Sequence, residues 1–293
     1  MIFVALLRIK PDFTIFSIPS APLLALGILL RKKHFSIDIR DAVWDYLAQG
    51  GIFQCVAAWI TRLLLKCGAP RALFVSVTND AEKAAVMKLT NVPPLLLRNG
   101  ISENKFNQLA ALEFPSNKNE RLVVTYIGNV GKAQHLDTLV EAIAIDRKFN
   151  ASIAGDGTAL DKIREEVMAL SADNITLKGR MNWDQVLEEY RSSDILYAQI
   201  GHRYSSAVPT KIFEYLAIGK PVILGLPPGP AKEIFSKFSG VYFHEPENAE
   251  SLRQVLDNLD LDSKIERTRN INIIRATHIR ELQQEKLLTA LEV

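Results

Sequence analysis

The chain has 293 residues, which is long enough for two domains of ordinary size. Hydrophobic residues make up 48% and charged residues 23%, which excludes a disordered protein, and the formal net charge of +2 gives no general argument for nucleic-acid binding. The two cysteines, Cys55 and Cys67, form neither a disulfide framework nor a metal-binding pattern, so we expect both to be buried packing residues.

The first third of the chain alternates between strand-like and helix-like segments. Strands are predicted at 13–18, 35–39, 74–77 and 95–97, and helices at 2–9, 23–30, 52–66 and 80–89. This alternation predicts an α/β domain with a parallel sheet. In open sheets of this kind, ligands bind at the carboxyl ends of the strands, and Arg40 and Asp41 follow the second predicted strand there.

The pattern resumes after a polar segment at 115–120, which contains Pro115 and which we place at the domain boundary. The two predicted domains therefore cover 1–114 and 121–258. The second has six predicted strands, at 122–127, 151–154, 175–177, 195–198, 221–224 and 240–243. The remaining segment, 259–293, is predicted to contain one charged amphipathic helix from residue 263 onward.

A glycine-rich turn follows the first strand of the second domain, in the sequence Gly128-Asn129-Val130-Gly131-Lys132. Two glycines at a strand-to-helix turn let the backbone approach a phosphate closely. The same spacing also fits a plain turn, so this motif alone decides nothing.

The most informative stretch runs from Ser205 to Ile223. Pro209 and Thr210 predict the start of a helix, with Thr210 as a local cap, and Gly219 predicts its end. A helix that begins in this way directs free N–H groups toward a phosphate. Lys211 would add a positive charge, and Glu214 a carboxylate for ribose hydroxyls. An ordinary capped helix with solvated Lys211 and Glu214 fits the pattern equally well.

The sequence at 209–222, Pro-Thr-Lys-Ile-Phe-Glu-Tyr-Leu-Ala-Ile-Gly-Lys-Pro-Val, resembles the donor-site signature of family 4 glycosyltransferases. That resemblance implies the GT-B fold, with two Rossmann-like domains, of which the first is incomplete here. It implies that the C-terminal helix, within 259–293, packs back toward the N-terminal domain. It also implies that Lys211 faces the donor diphosphate, that Glu214 holds the ribose and that the helix start faces the phosphates. The positions implied at that start are Ser206, Pro209 and Thr210.

The turn at Gly128 resembles a loop in one branch of the family, which transfers N-acetylated amino sugars in surface polysaccharide assembly. The resemblance implies that the donor is bound by Gly128, Asn129, Gly131 and Lys132. Arg180 and Met181 follow a strand-end glycine whose position in the family reads the base, so they are candidates to contact uracil; Arg180 fits a rim position equally well.

This chain departs from the family pattern at three positions. Asn129 stands where many members have an arginine on the diphosphate. Ser206 stands where many have a glutamate that faces the donor sugar. His135 replaces a usual glycine, and we interpret it as a surface or cleft residue.

The resemblance implies transfer of a hexosyl or N-acetylhexosaminyl group from a UDP-sugar, with retention of configuration, to a lipid-linked or saccharide acceptor in cell-surface polysaccharide synthesis. We predict no metal ion and no other cofactor, because no metal-binding Asp-x-Asp stands in a suitable loop and the helix start with Lys211 can stabilise the departing diphosphate. Arg40 and Asp41 match a cleft-facing pair on the acceptor domain, where Arg40 would stabilise the reaction centre and Asp41 orient it. A structural ion pair between them is the other interpretation.

The family's opening strand and glycine loop are not found ahead of Pro11. A second hypothesis is therefore a fragment or split-enzyme subunit that binds the sugar nucleotide but needs a complementing N-terminal polypeptide for transfer. The chain start lacks a basic region and a cleavage site, so we expect a cytoplasmic protein, with any contact to the plasma membrane peripheral and on its inner face. The predicted helix at 52–66, with Phe53 and Trp59, either lies on a membrane surface or is buried under neighbouring segments.

Overall fold

The computed structural model describes residues 13–18, 22–25, 34–40, 42–48, 50–114, 121–261 and 264–291. The chain divides into two compact units. The first contains the residues up to Asn99 together with those from Arg280 onward, and the second runs from Gly100 to Ile279. The predicted helix at 2–9 and the predicted boundary segment at 115–120 lie outside the described residues.

The first unit contains a parallel sheet whose four strands lie side by side in chain order. The strands are β1 (Thr14–Ile18), β2 (Phe35–Ile39), β3 (Val75–Val77) and β4 (Leu95–Leu96). Strands β2 and β3 are buried along almost their whole length, as expected when both faces of a parallel sheet are covered. The predicted strands are therefore confirmed.

Three helices accompany these strands, namely α1 (Val43–Leu47), α2 (Ile52–Gly68) and α3 (Asp80–Thr90), and residues 22–25 are also helical. Cys55 and Cys67 on α2 are both exposed, so the prediction that they are buried is wrong. Helix α2 is apolar on nearly every side, and its sequence does not indicate which side packs against the sheet. The face that carries Ala58, Thr61 and Leu65 is the buried one.

Among the described residues, the stretch Ile52–Arg71 is a helix long and apolar enough to cross a membrane, judged by length and composition alone. Its mean hydropathy is 1.3, and 28% of the window lies buried inside the protein.

The second unit contains a six-stranded parallel sheet in the order β10-β9-β8-β5-β6-β7. The strands are β5 (Leu122–Ile127), β6 (Phe149–Ala154), β7 (Ile175–Gly179), β8 (Ile195–Gln199), β9 (Val222–Gly225) and β10 (Val241–His244). All six were predicted. Strand β5 pairs with β6 on one side and with β8 on the other. The strand order reverses at β5, and in open α/β sheets the crevice outside such a switch point is where ligands bind.

Helices cover both faces of this sheet. They are α4 (Glu103–Ala110), α5 (Asp137–Ile145), α6 (Leu160–Ala169), α7 (Trp183–Ser192), α8 (Lys211–Ile218), α9 (Pro230–Phe235), α10 (Ala249–Asp257) and α11 (Arg267–Thr277). Helix α8 is the most buried of these, and its Phe213 ring packs 5.1 Å from Phe235 and 4.1 Å from His278, measured between ring centroids.

Residues 100–114 group with the second unit, although the prediction placed them in the first domain. Phe106 and Leu109 of α4 are buried in the core cluster that includes α8. The Arg267 guanidinium donates hydrogen bonds to the carbonyls of Leu109, Ala110 and Leu112 at 2.9, 3.1 and 3.2 Å. A cation at a helix C-terminus satisfies carbonyls that have no partner within the helix, so Arg267 fixes the end of α4.

The predicted single helix at the end of the chain is instead two helices, α11 and α12 (Arg280–Leu291). They are separated by His278 and Ile279. The His278 carbonyl accepts a hydrogen bond from the backbone N–H of Ile101 at 2.9 Å, and Ile279 forms a parallel bridge with Ile101. These bonds to a distant segment take the backbone out of the helix, and α12 then groups with the first unit.

A buried histidine closes the last strand of the second sheet. His244 stacks on Tyr197, with ring centroids 5.7 Å apart, and its Nδ1 lies 2.8 Å from the carbonyl of Glu245. Its Nε2 has no hydrogen-bond partner among the described residues. Burial lowers the pKa of His244 from 6.5 to about 4, so the folded protein keeps this ring neutral.

We expect this histidine to make the protein less stable in mild acid. Its folded-state pKa is below its unfolded value, so the stability is complete above pH 6.5 and falls as the pH drops toward 4. The full loss is about 3 kcal/mol, at 1.36 kcal/mol per pKa unit. Urea unfolding of the second unit at several pH values should show this slope, and His244→Phe should flatten it. An equally steep slope in the variant would contradict the assignment.

Candidate active site

A cavity of about 380 Å³ opens at the carboxyl ends of β5, β6 and β7, beside the switch point of the second sheet. It brings together five of the residues singled out in the sequence, namely Gly128, Asn129, Arg180, Met181 and Lys211. Three cations line the cavity, Lys105, Arg180 and Lys211. One acid, Asp156, also lines it, and its Oδ2 lies 3.8 Å from Arg180 Nη2. The cavity therefore suits a ligand with negative charge.

The floor of the cavity is formed by two loops that touch backbone to backbone. The N–H of Gly128 donates to the Ala154 carbonyl at 2.9 Å, and that of Val130 donates to the Asp156 carbonyl at 2.9 Å. Gly155 has a φ of +142°, and a Cβ placed there would lie 1.7 Å from the carbonyl oxygen of Gly128. Only glycine fits this position, because both the space and the backbone conformation exclude a side chain.

Two tyrosines hold the end of β5 and the loop that follows it. The Tyr215 hydroxyl of α8 accepts from the N–H of Ile127 at 2.9 Å and donates to its carbonyl at 3.1 Å. The Tyr126 hydroxyl donates to the Asn129 carbonyl at 2.7 Å. Burial raises the pKa of both hydroxyls well above the usual range, so both remain neutral donors. Neither tyrosine was singled out in the sequence, because both bonds depend on the fold.

Helix α8 begins at Lys211, as the sequence predicted, but Thr210 does not cap it. The Thr210 side chain makes no capping hydrogen bond, because its backbone is already helical, with φ −67° and ψ −25°, whereas a capping residue is extended. The helix ends at Gly219 with a φ of +83°, which confirms the predicted C-terminal glycine.

Lys211 and Glu214 form a partly buried charge pair at the start of α8. The Lys211 Nζ lies 2.9 Å from Glu214 Oε2, and the Tyr190 hydroxyl of α7 donates to the same oxygen at 3.0 Å. The Glu214 side chain is only 12% exposed, so the carboxylate is held in one position. Burial and the nearby Glu214 charge raise the pKa of Tyr190 well above its ordinary value, which keeps this hydroxyl a donor.

Lys220, which the sequence analysis did not single out, contacts the end of α7, the helix that bonds to Glu214 through Tyr190. Its Nζ donates to the carbonyls of Tyr190 and Arg191 at 2.7 and 2.9 Å, and also to the carbonyl of Ser193. It therefore fixes the end of α7, the helix that carries Tyr190. Burial lowers the pKa of Lys220 to about 8. The sequence places Lys220 directly after the glycine that ends α8, but its partners lie on α7 and cannot be read from that spacing.

Several predicted site residues lie outside this cavity. Gly131 and Lys132 line a second cavity of about 380 Å³ together with His135, so they do not join Gly128 and Asn129. The reason is the path of the loop, which turns at Gly131 into a short 3₁₀ segment. Ser206, Pro209, Thr210 and Glu214 line neither cavity, although Glu214 is bonded to Lys211, which lines the first.

Asn129 takes part in a hydrogen-bond network within the loop. Its Nδ2 donates to Gln134 Oε1 at 3.2 Å, and the same oxygen accepts from the N–H of Gly131 at 3.1 Å. The charge that many family members place here is therefore replaced by a neutral pair that stiffens the loop. His135, interpreted from the sequence as a surface or cleft residue, has its ring nitrogens 3.8 Å from an Asp137 oxygen and 3.9 Å from a Glu247 oxygen.

In the first unit, Arg40 forms an ion pair with Asp38, with 2.6 Å between Arg40 Nε and Asp38 Oδ2. Asp41, its predicted partner, lies outside the described residues. Asp38 also accepts from the Ser76 hydroxyl at 2.7 Å, so the pair is fixed to the neighbouring strand. Among the residues that the structure describes, no group of three or more His, Cys, Asp or Glu side chains is arranged to hold a metal ion.

Two α/β units, each with a parallel sheet, and a cation-lined cavity at the carboxyl edge of the second sheet define a protein of the GT-B class. Residues 110–276, more than half of the chain, match the family model of the group 1 glycosyl transferases. The chain belongs to this family. Among curated proteins, none is similar enough in sequence to be matched with it.

Solved structures of low sequence identity share this fold. One is a variant of S. aureus TarM in complex with fondaparinux, alpha-GlcNAc-glycerol and UDP, which is 16% identical to this chain with a TM-score of 0.68. The alignment covers 99% of this chain but only 58% of the TarM chain. Anabaena HepE in complex with UDP is 13% identical with a TM-score of 0.71, over 99% of this chain and 81% of HepE. Sucrose-phosphate synthase from Thermosynechococcus elongatus is 16% identical with a TM-score of 0.73, over 98% of this chain and 75% of the synthase.

Proposed function

We propose that the chain transfers a hexosyl or N-acetylhexosaminyl group from a UDP-sugar to a lipid-linked or saccharide acceptor in cell-surface polysaccharide synthesis. The observation that carries this proposal is the fixed Lys211–Glu214 pair at the mouth of α8, beside a cavity that also holds Arg180 and Met181. UDP is bound in the TarM and HepE structures, which supports a uridine nucleotide as the donor.

The proposed chemistry is electrostatic. Lys211 and Arg180 would balance the charge of the UDP group as it leaves, in a site whose hydrogen-bond donors are already in position. Glu214, held by Tyr190, would accept hydrogen bonds from the ribose hydroxyls, and Met181 would lie against the base. The reaction would need no cofactor and no metal ion, and the sugar would keep its anomeric configuration. On the acceptor side we retain Arg40, whose half-exposed guanidinium is positioned by Asp38, together with Asp41.

A second candidate is binding of the sugar nucleotide without transfer. It is favoured by Ser206, which stands where many family members carry a glutamate that faces the donor sugar. Incubation of the purified chain with UDP-glucose or UDP-N-acetylglucosamine, with and without a lipid-linked acceptor, separates the two. Release of UDP supports transfer or donor hydrolysis, whereas tight binding with no release supports the second candidate.

Calorimetry tests the part that both candidates share. We expect UDP to bind the full chain, and ADP to bind much more weakly, because a purine ring is larger than the uracil that we place against Arg180 and Met181. Failure of UDP to bind at low salt would contradict the proposed donor site.

The position of Lys132 leads to a further prediction. Because Lys132 lines the second cavity, replacing it by alanine should change the Kd for UDP by less than about twofold, which is the scale of a distant surface charge. Calorimetry of Lys132→Ala beside the unmodified chain measures this. A loss comparable to that of a direct phosphate contact would show that the loop moves to bring Lys132 to the nucleotide.

A further inference from the structure

Helix α2 exposes one continuous apolar face. Phe53 is 92% exposed, Ile52 82% and Trp59 64%. Three more large apolar side chains on the helix are exposed as well, Val56, Ile60 and Leu63. At 100° per residue these six positions fall within an arc of about 120°, so they form a single stripe along the helix. We call these six residues the apolar face of α2. Contiguous apolar surface of this kind marks an interaction site.

The opposite side of α2 is packed within the first unit. Ala58, Thr61 and Leu65 are buried there, and Arg62 on the flank forms an ion pair of 3.2 Å with Asp45 of α1. The helix is therefore attached to the protein from Ala58 to Gly68. It cannot cross a bilayer without leaving this packing, but it can lie in the plane of a surface with its apolar face directed outward.

The charged residues of α2 itself and of the segment that follows it are all cations, although Arg62 is paired with Asp45 of α1. From Ile52 to Leu73 the sequence contains no aspartate or glutamate, and its charged residues are Arg62, Lys66 and Arg71. The excess of positive charge extends over residues 1–99 and is absent from the rest of the chain. Residues 1–99 contain 12 Lys and Arg against six Asp and Glu, whereas residues 100–293 contain 23 against 27. The part of the chain that carries α2 therefore attracts negative surfaces, and the remainder does not.

We propose that the apolar face of α2 inserts into the surface of a bilayer that contains anionic lipids, with the helix axis in the membrane plane. Apolar side chains that include Phe and Trp, flanked by Lys and Arg, are the composition of helices that bind membranes in this way. An anionic surface complements the cations on α2, whereas a second copy of this chain would bring the same positive charges together. The inference does not depend on the sugar-transfer proposal.

Sedimentation with lipid vesicles tests this inference on the full chain. The chain should bind vesicles of equal parts phosphatidylglycerol and phosphatidylcholine, and more weakly those of phosphatidylcholine alone. Replacing both Phe53 and Trp59 by serine should reduce the partition coefficient about 100-fold, because two large side chains no longer enter the bilayer. Replacing the same two residues by leucine should largely preserve binding.

The matched control is Ile145→Ser, which removes an apolar side chain that is 72% exposed on α5 of the second unit. It should leave vesicle binding within about twofold of the unmodified chain, as expected for an isolated surface residue. Circular dichroism and UDP binding should show that all variants are folded.

Three outcomes would overturn the inference. They are failure to bind vesicles of either composition, binding that survives the double serine variant, and equal binding to both lipid mixtures. Self-association of the free chain that the double serine variant abolishes, without vesicle binding, would assign the face to a second copy.

Discussion

Replacing Lys211 by alanine should raise the Kd for UDP by about 10- to 100-fold. A hydrogen bond from a charged donor contributes about 1.5–3 kcal/mol, and each 1.4 kcal/mol is a factor of ten in affinity. The substitution also removes the cation 2.9 Å from Glu214, which leaves a carboxylate uncompensated beside the diphosphate that we place there. Calorimetry at one fixed salt concentration measures the change.

The exposed Lys237, in the same unit but outside the cavity, supplies the matched control. Lys237→Ala should leave the Kd for UDP nearly unchanged, and equal losses in the two variants would indicate general charge attraction in place of a direct contact.

Glu214→Ala separates the ribose contact from the phosphate contact. If Glu214 binds the ribose, the unmodified chain should prefer UDP to 2′-deoxy-UDP, and the variant should lose this preference. A preference that persists in the variant would contradict the role proposed for Glu214.

Replacing Gly155 by alanine should destabilise the second unit by about 3 kcal/mol or more and abolish UDP binding. The new Cβ would lie 1.7 Å from the carbonyl oxygen of Gly128, so the two loops that form the cavity floor must separate. The φ of +142° adds backbone strain, which costs of order 1–3 kcal/mol for a residue with a side chain. Urea unfolding followed by circular dichroism, together with calorimetry, measures both effects.

Gly179→Ala serves as the comparison because it introduces backbone strain without a steric clash of the new Cβ. Gly179 has a φ of +66°, but nothing lies within 4 Å of a Cβ placed there. This variant should lose about 1–2 kcal/mol, the cost of a left-handed residue with a Cβ. Equal losses at the two glycines would show that the loop contact at Gly155 contributes little.

The strands of both units could be predicted because each is a short apolar run between turn residues, and that signal is local. The start of α8 at Lys211 and its end at Gly219 were predicted for the same reason. Where the prediction failed, the deciding interaction is distant in sequence. The last helix is interrupted because His278 bonds to Ile101, 177 residues away.

The same limit applies to the candidate site. The sequence indicated Lys211 and Glu214, but not the Tyr190 hydroxyl that completes the pair or the Tyr215 hydroxyl that bonds to β5. These tyrosines look like ordinary core residues until α7, α8 and β5 are assembled. On α2 the difficulty was different, because a helix that is apolar on both sides gives no periodic signal for which side faces the core. The cysteines were misplaced for that reason.

The bonds from Arg267 to the end of α4, and from Ile101 to His278, determine how the chain can be divided. A fragment cut to the sheet and its immediate helices, 121–258, would lack α4 and the Arg267 side chain that bonds to its end, and would expose the apolar side of α8 that Phe106 and Leu109 cover. The second unit as a whole, Gly100–Ile279, keeps all of these contacts. Its two ends meet at the Ile101–Ile279 bridge, so both connections to the remainder of the protein leave from one place.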